Sequence, residues 1–104
     1  MKIKTGYTVY ELVVSVDSDN NPVSAATFTN EFFINGLSTT AVTLSVSLSD
    51  ASKAIFSTSF SGSTFGNHQF HMKNDLTNVI YVSDTYEVSP DSEVDTSPTI
   101  YVGL

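Results

Sequence analysis

From Ala41 to Ser49 the chain alternates without a break: Val42, Leu44, Val46 and Leu48 on one parity, Thr43, Ser45, Ser47 and Ser49 on the other. A strand turns successive side chains to opposite faces, so this order gives one apolar and one hydroxyl face. At helical spacing the same residues would scatter round every side. The segment is predicted as a half-buried strand, with Val42, Leu44, Val46 and Leu48 facing a core.

The same period recurs along the chain. Thr8 to Val16 places Tyr10, Leu12, Val14 and Val16 on one face and a mixed set, Val9, Glu11, Val13 and Ser15, on the other. Phe28, Phe32 and Ile34 share a face, and so do Ala54, Phe56, Thr58 and Phe60. His68, Phe70 and Met72 alternate with Gln69, His71 and Lys73. Ile80, Val82, Asp84, Tyr86 and Val88 read as one face of a long last strand.

Turn chemistry separates these runs. Asp17 to Pro22 is a loop of residues that tolerate left-handed backbone, closed by a proline that fixes φ. Asn35-Gly36 is the strongest hairpin signal. Asp50-Ala51-Ser52, the stretch between Gly62 and Gly66, and Asn74-Asp75 mark further connections. No segment carries a sustained 3.6-residue stripe. The pattern predicts an all-β chain, an Ig-like antiparallel β-sandwich of about seven strands with an extended C-terminal arm. Residues 1–88 form the sandwich in this reading; 89–104 form an acidic linker and a β-prone end, Thr99-Ile100-Tyr101-Val102-Gly103-Leu104.

Composition then limits the work such a sandwich can do. The chain has 104 residues, eleven acids against four Lys and Arg, a net charge of −7 and no cysteine. Disulfide scaffolds are excluded and zinc fingers have no thiolates to use. Nucleic-acid backbones need clustered cations, which are missing. No apolar run, Leu12-Val13-Val14 included, comes near the roughly 20 residues of a membrane span, and no secretory signal is read at the start. Synthesis in a cytoplasm is therefore expected.

Sites of chemistry are sparse. Asp17, Asp19 and Asn21 have the one-three-five oxygen spacing of a calcium loop, but Pro22 stands where glycine is needed and Phe28 where a bidentate Glu belongs. A structural turn is expected, and no metal or cofactor. Asp91, Glu93 and Asp95 read as a solvated acidic run. His68 and His71 fall on opposite strand faces, so one flat strand cannot bring them to one metal. His68 is expected in the core with a hydrogen bond, and His71 at the surface. Serine is abundant, yet no nucleophile elbow or oriented base accompanies it, and no catalytic residue is assigned. Phe33, Tyr81 and Tyr101 lie on the non-core parity and could serve as aromatic contacts. With Ile100, Val102 and Leu104 of the end segment they form the candidate partner-binding set. The arm is expected to dock by strand addition on a neighbouring subunit or on its own domain.

The order of these pieces resembles a known family. A hydrophobic first strand and a turn with Pro22-Val23 lead to Phe32-Phe33-Ile34-Asn35-Gly36. An alternating strand follows, then Ser49-Asp50-Ala51-Ser52-Lys53-Ala54-Ile55-Phe56-Ser57-Thr58-Ser59-Phe60 and Gly66-Asn67-His68-Gln69-Phe70-His71-Met72-Lys73-Asn74. This resembles the small Ig-like virion proteins of tailed bacteriophages: capsid decoration, head-fibre and tail-associated modules. Where many Ig-like domains have Gly-x-Tyr, this chain has Gly66-x-His68. The resemblance covers residues 7–88. It implies a non-enzymatic structural protein of a virion, made in the host cytoplasm and assembling with the major capsid protein or with neighbouring copies. The alternative is a carbohydrate or host-surface adhesion module.

Overall fold

The computed structural model describes residues 2–3, 6, 8–24, 27–61, 64–88 and 99–102; for 2–3 and 99–102 it describes the backbone pairing. The strands are β1 (Lys2–Ile3), β2 (Thr8–Val14), β3 (Phe28–Ile34), β4 (Leu37–Thr39), β5 (Ser45–Asp50), β6 (Ile55–Ser61), β7 (Gly66–Asn74), β8 (Ile80–Val82), β9 (Tyr86–Val88) and β10 (Thr99–Val102). No helix occurs among the described residues. One sheet has the order β1-β9-β7-β3-β4, with β8 also on β7; the other runs β10-β2-β6-β5. All pairings are antiparallel except β1 on β9 and β10 on β2. The fold is the expected all-β sandwich.

Alternation decides which residues fill it. Phe32 from β3, Phe60 from β6, Phe70 and Met72 from β7, and Tyr86 and Val88 from β9 meet Val9 and Val13 of β2 in one buried cluster. Phe60 makes edge-to-face contacts with Phe32 at 4.9 Å and Tyr86 at 5.5 Å, the offset geometry that aromatic quadrupoles favour. The strand predicted over 41–49 is regular only from Ser45. Its Val42, Leu44 and Val46 are partly buried against the core, while Leu48 is 49% exposed, because β5 is the outermost strand of its sheet. The Asn35-Gly36 turn behaves as expected, with φ of 52° and 79°, the left-handed pair a tight hairpin needs.

Two expectations are corrected. On β2 the inward face is the mixed one: Val9, Glu11, Val13 and Ser15 are buried, and Tyr10, Leu12 and Val14 are only half-buried. The single long last strand is in fact two. His71 pairs with Val82 and His68 with Tyr86, so β8 and β9 span one residue more than the β7 stretch opposite them. A bulge at Ser83–Thr85 absorbs that residue, and one extra residue reverses the faces. Ile80 and Val82 therefore point to water, 54% and 51% exposed, while Tyr86 and Val88 remain inside. Tyr81, expected on the outside, packs against the core instead.

Ser83 holds the bulge. It is buried; its N–H donates to the Phe70 carbonyl at 3.0 Å, and its Oγ accepts from the Phe70 N–H at 2.9 Å. The side chain thus replaces the ladder partner that the bulge removes. Gln69 Nε2 donates to the Ser83 carbonyl at 2.9 Å.

The inverted faces bring three polar groups together. Glu11, 3% exposed on β2, accepts hydrogen bonds from the phenols of Tyr81 on β8 and Tyr86 on β9. The bonds cross from one sheet to the other. Burial, then bonding to Glu11, pushes both phenols above the ordinary tyrosine range. Tyr86→Phe should cost roughly 1–3 kcal/mol, the penalty for a buried acceptor left short of a donor. Glu11→Ala, which opens a cavity and strands two phenols, should cost about 3 kcal/mol or more. The triple change Glu11→Leu, Tyr81→Phe, Tyr86→Phe should recover most of that loss, since no polar group is then orphaned. Urea denaturation measures all three; a Glu11→Ala protein as stable as wild type would show that the carboxyl does not tie the sheets.

The arm lies within its own chain. Thr99, Ile100, Tyr101 and Val102 run parallel to β2, opposite Thr8, Val9, Tyr10 and Glu11. Residues 89–98 and Leu104, including the acidic run and one candidate contact, lie outside the described residues. Deleting 89–104 should expose the β2 edge beside Glu11. The melting temperature should drop by roughly 4–8 °C for each kcal/mol lost; an unchanged melting curve would mean that β10 adds nothing to the sheet.

Candidate functional site

The bulge also builds an exposed apolar stretch on the outer surface of a sheet. On the face turned away from the core, the pairing register sets Val82 beside His71 and His71 beside Glu31. The next row is Ile80, Lys73 and Thr29, and Phe33 sits opposite Gln69 on one side and Ser38 on the other. Phe33 and His71 are diagonal neighbours across β3 and β7, and their rings lie 4.5 Å apart at 48°. The resulting face carries two exposed aliphatics and a ring pair, with Lys73 and Gln69 among them on β7 and Glu31 on β3. Phe33 is thus where the sequence places it. Tyr81 is not, and Ile80 and Val82 replace it. No period-two reading could find them, because Ser83 carries no residue-type signal that marks it as a bulge.

Other candidates resolve into structure. Asp17 Oδ1 accepts the backbone N–H groups of Asp19 and Asn21 at 2.9 and 3.0 Å. The Asn21 amide, with the others, holds this carboxyl below its usual range. The loop is a turn organised by its first aspartate, as expected. No cluster of three His, Cys, Asp or Glu able to hold a metal occurs among the described residues. His68 is fully buried and His71 half-buried on the opposite face. His68 Nδ1 lies 3.1 Å from the Gly66 carbonyl, Nε2 has no hydrogen-bond partner among the described residues, and the ring packs against Phe32 and Phe60.

Among the described residues, two of the recesses bear on the candidate sites. A half-open apolar cleft of about 160 Å³ lies where Val13, Val16, Phe28, Met72 and Val79 converge. A wider mouth along β5 is floored by Phe28 and Phe56, whose rings meet edge-on at 4.8 Å. Neither holds a titratable group positioned for catalysis. No helix among the described residues is long and apolar enough to cross a membrane.

Burial pushes the His68 imidazole below its ordinary value of 6.5. As pH falls, the unfolded chain binds the proton first, so the contribution of His68 is complete above about pH 6.5 and is lost on acidification. Urea midpoints should decline between about pH 7 and 5, and His68→Phe should flatten that limb. Equal slopes for both proteins would place the acid sensitivity elsewhere.

No family model, no curated protein and no solved structure matches this chain.

Proposed function

We propose that this chain is a non-enzymatic structural module of a phage virion, decorating or cementing a capsid through subunit–subunit contacts. The observation that carries the reading is the outer face of the β8-β7-β3 sheet. Ile80 and Val82, each more than half exposed, stand in register with His71 and Lys73, beside the Phe33–His71 ring pair. The cores of assembly surfaces are enriched in apolar and aromatic residues of this kind. A regular sheet also presents its side chains on a rigid backbone, so little ordering entropy is lost on docking. The net charge of −7 opposes any role on nucleic acid.

In this reading the arm covers β2 of its own chain, and neighbours meet the β3-β7-β8 face. Phe33 on β3, with its His71 ring partner on β7, and Ile80 and Val82 on β8 make the contacts, and Tyr81 supports the sheet from inside. The partner is the major capsid protein or a neighbouring copy on the particle, and the site of action is the virion.

Phage heads of the same source, stripped of this protein and mixed with the purified chain, should co-sediment with it to a fixed stoichiometry. The double variant Ile80→Lys, Val82→Lys should lose at least tenfold in affinity with an unchanged melting temperature, since two charges would be buried unpaired. Absence of binding to heads, together with saturable binding of the isolated monomer to cell-wall polysaccharide, would replace this reading with that of an adhesion module.

A further inference from the structure

The four outermost strands of the two sheets differ in how they meet solvent. β1 and β4 span Lys2–Ile3 and Leu37–Thr39, too short to template much pairing. β10 lies along β2. β5 is different: it pairs with β6 on one side, and no described strand lies on the other. Natural edges are blunted with lysine, proline or inward charge. From Ala41 to Ser49 this one has no charge and no proline; only its end, Asp50 beyond a register shift against β6, carries such a device.

We propose that β5 is a self-pairing edge, and that two copies of this chain join there antiparallel to make one continuous sheet. Three observations select a second copy as the occupant. The first is charge. A chain of net −7 repels its own kind, and the nine residues 41–49 offer a strip with no charge at all. An acidic or basic peptide would find no counter-charge along them.

The second is self-complementarity. Residues that face each other across an antiparallel pair share a face of the sheet. Centred on Val46, the pairing sets Val46 against Val46 of the second copy, Leu44 against Leu48, and Ser45 against Ser47. Apolar residues meet apolar ones on the core side, and hydroxyls meet hydroxyls outside. Ser45 to Leu48 of this register lie in the regular part of the strand, ahead of the shift against β6 between Leu48 and Asp50, and Leu44 directly precedes it.

The third is space. The mouth between the sheets beside β5 is lined by Thr27, Phe28, Asn30, Val46, Leu48 and Phe56. Leu48, 49% exposed, stands at its rim. A strand added at the β5 edge would project its inward side chains over this mouth. Leu44 of the second copy would cover Leu48, and the backbone groups of both edges would be paired.

This contact is separate from the Ile80–Val82 face and does not depend on the virion reading. Sedimentation velocity of the full chain from about 10 μM to about 1 mM, the range of a weak interface, should show a monomer–dimer equilibrium. Ser45→Lys with Ser47→Lys should abolish it, and so should Ser45→Glu with Ser47→Glu; each variant should keep a two-state melt. An equimolar mixture of the two variants should form a heterodimer at least tenfold tighter than either homodimer, because each lysine then faces a glutamate. Ile80→Lys with Val82→Lys should dimerise like wild type. A wild-type protein monomeric at about 1 mM would overturn self-pairing and leave the edge to a strand of another protein. A lysine variant that still dimerises, or a mixture that stays monomeric, would overturn it as well.

Discussion

A carboxyl group removed from water must find donors inside the protein, and Glu11 finds two, both on the opposite sheet. Most of the core is apolar burial, which is non-directional, as at Val9, Val13, Phe60 and Phe70. The Glu11 bonds are directional. They fix where β2 lies relative to β8 and β9, and so the distance and offset between the sheets. Glu11 is also held from behind, since its carbonyl accepts from Thr58 Oγ1 at 2.8 Å. Near the other end of β2, Asn74 Nδ2 donates to Ser15 Oγ at 2.8 Å, a second buried polar link between the layers. Both follow from the same departure, a β2 whose polar-bearing face is turned inward.

The bulge at Ser83–Thr85 links this interior to the surface. Without it, β8 and β9 would be one strand, and Tyr81 and Tyr86 would point to opposite faces. With it, both phenols reach Glu11 and Ile80 and Val82 turn outward together. The inserted residue that completes the buried network therefore also creates the exposed apolar row. The interior of the sandwich and its proposed contact face are two consequences of one register shift, held by the two Ser83–Phe70 bonds.

Edges account for the rest of the surface. A two-sheet sandwich has edges that a barrel would not, and each must be short, covered or paired. Here the two ends of the chain do the covering at two places, β1 beside β9 and β10 beside β2, in parallel pairings that no hairpin could make. β5, reached by the crossing segment 40–44, has no such strand beside it among the described residues. Its residues 45–49 carry no charge, and Asp50 closes the strand.

The sequence by itself determined the class of fold. Strict alternation in β6 and β7, and in 42–46, sorted the inward residues correctly, and Asn35-Gly36 named its turn, because both depend on local backbone geometry. It also placed Phe33 outside and His68 inside, and identified the Asp17 loop as a turn. Tertiary structure decided the faces of β2 and β8, the pairing of the arm and every cross-sheet hydrogen bond. On β2, counting apolar residues favours the Tyr10-Leu12-Val14 face. The opposite face goes inside because Glu11 has two phenols waiting there, and those phenols stand 70 and 75 residues further along the chain. Period-two patterning reports which residues share a face. Which face is buried, and where one inserted residue reverses it, depends on partners that only the folded chain brings together.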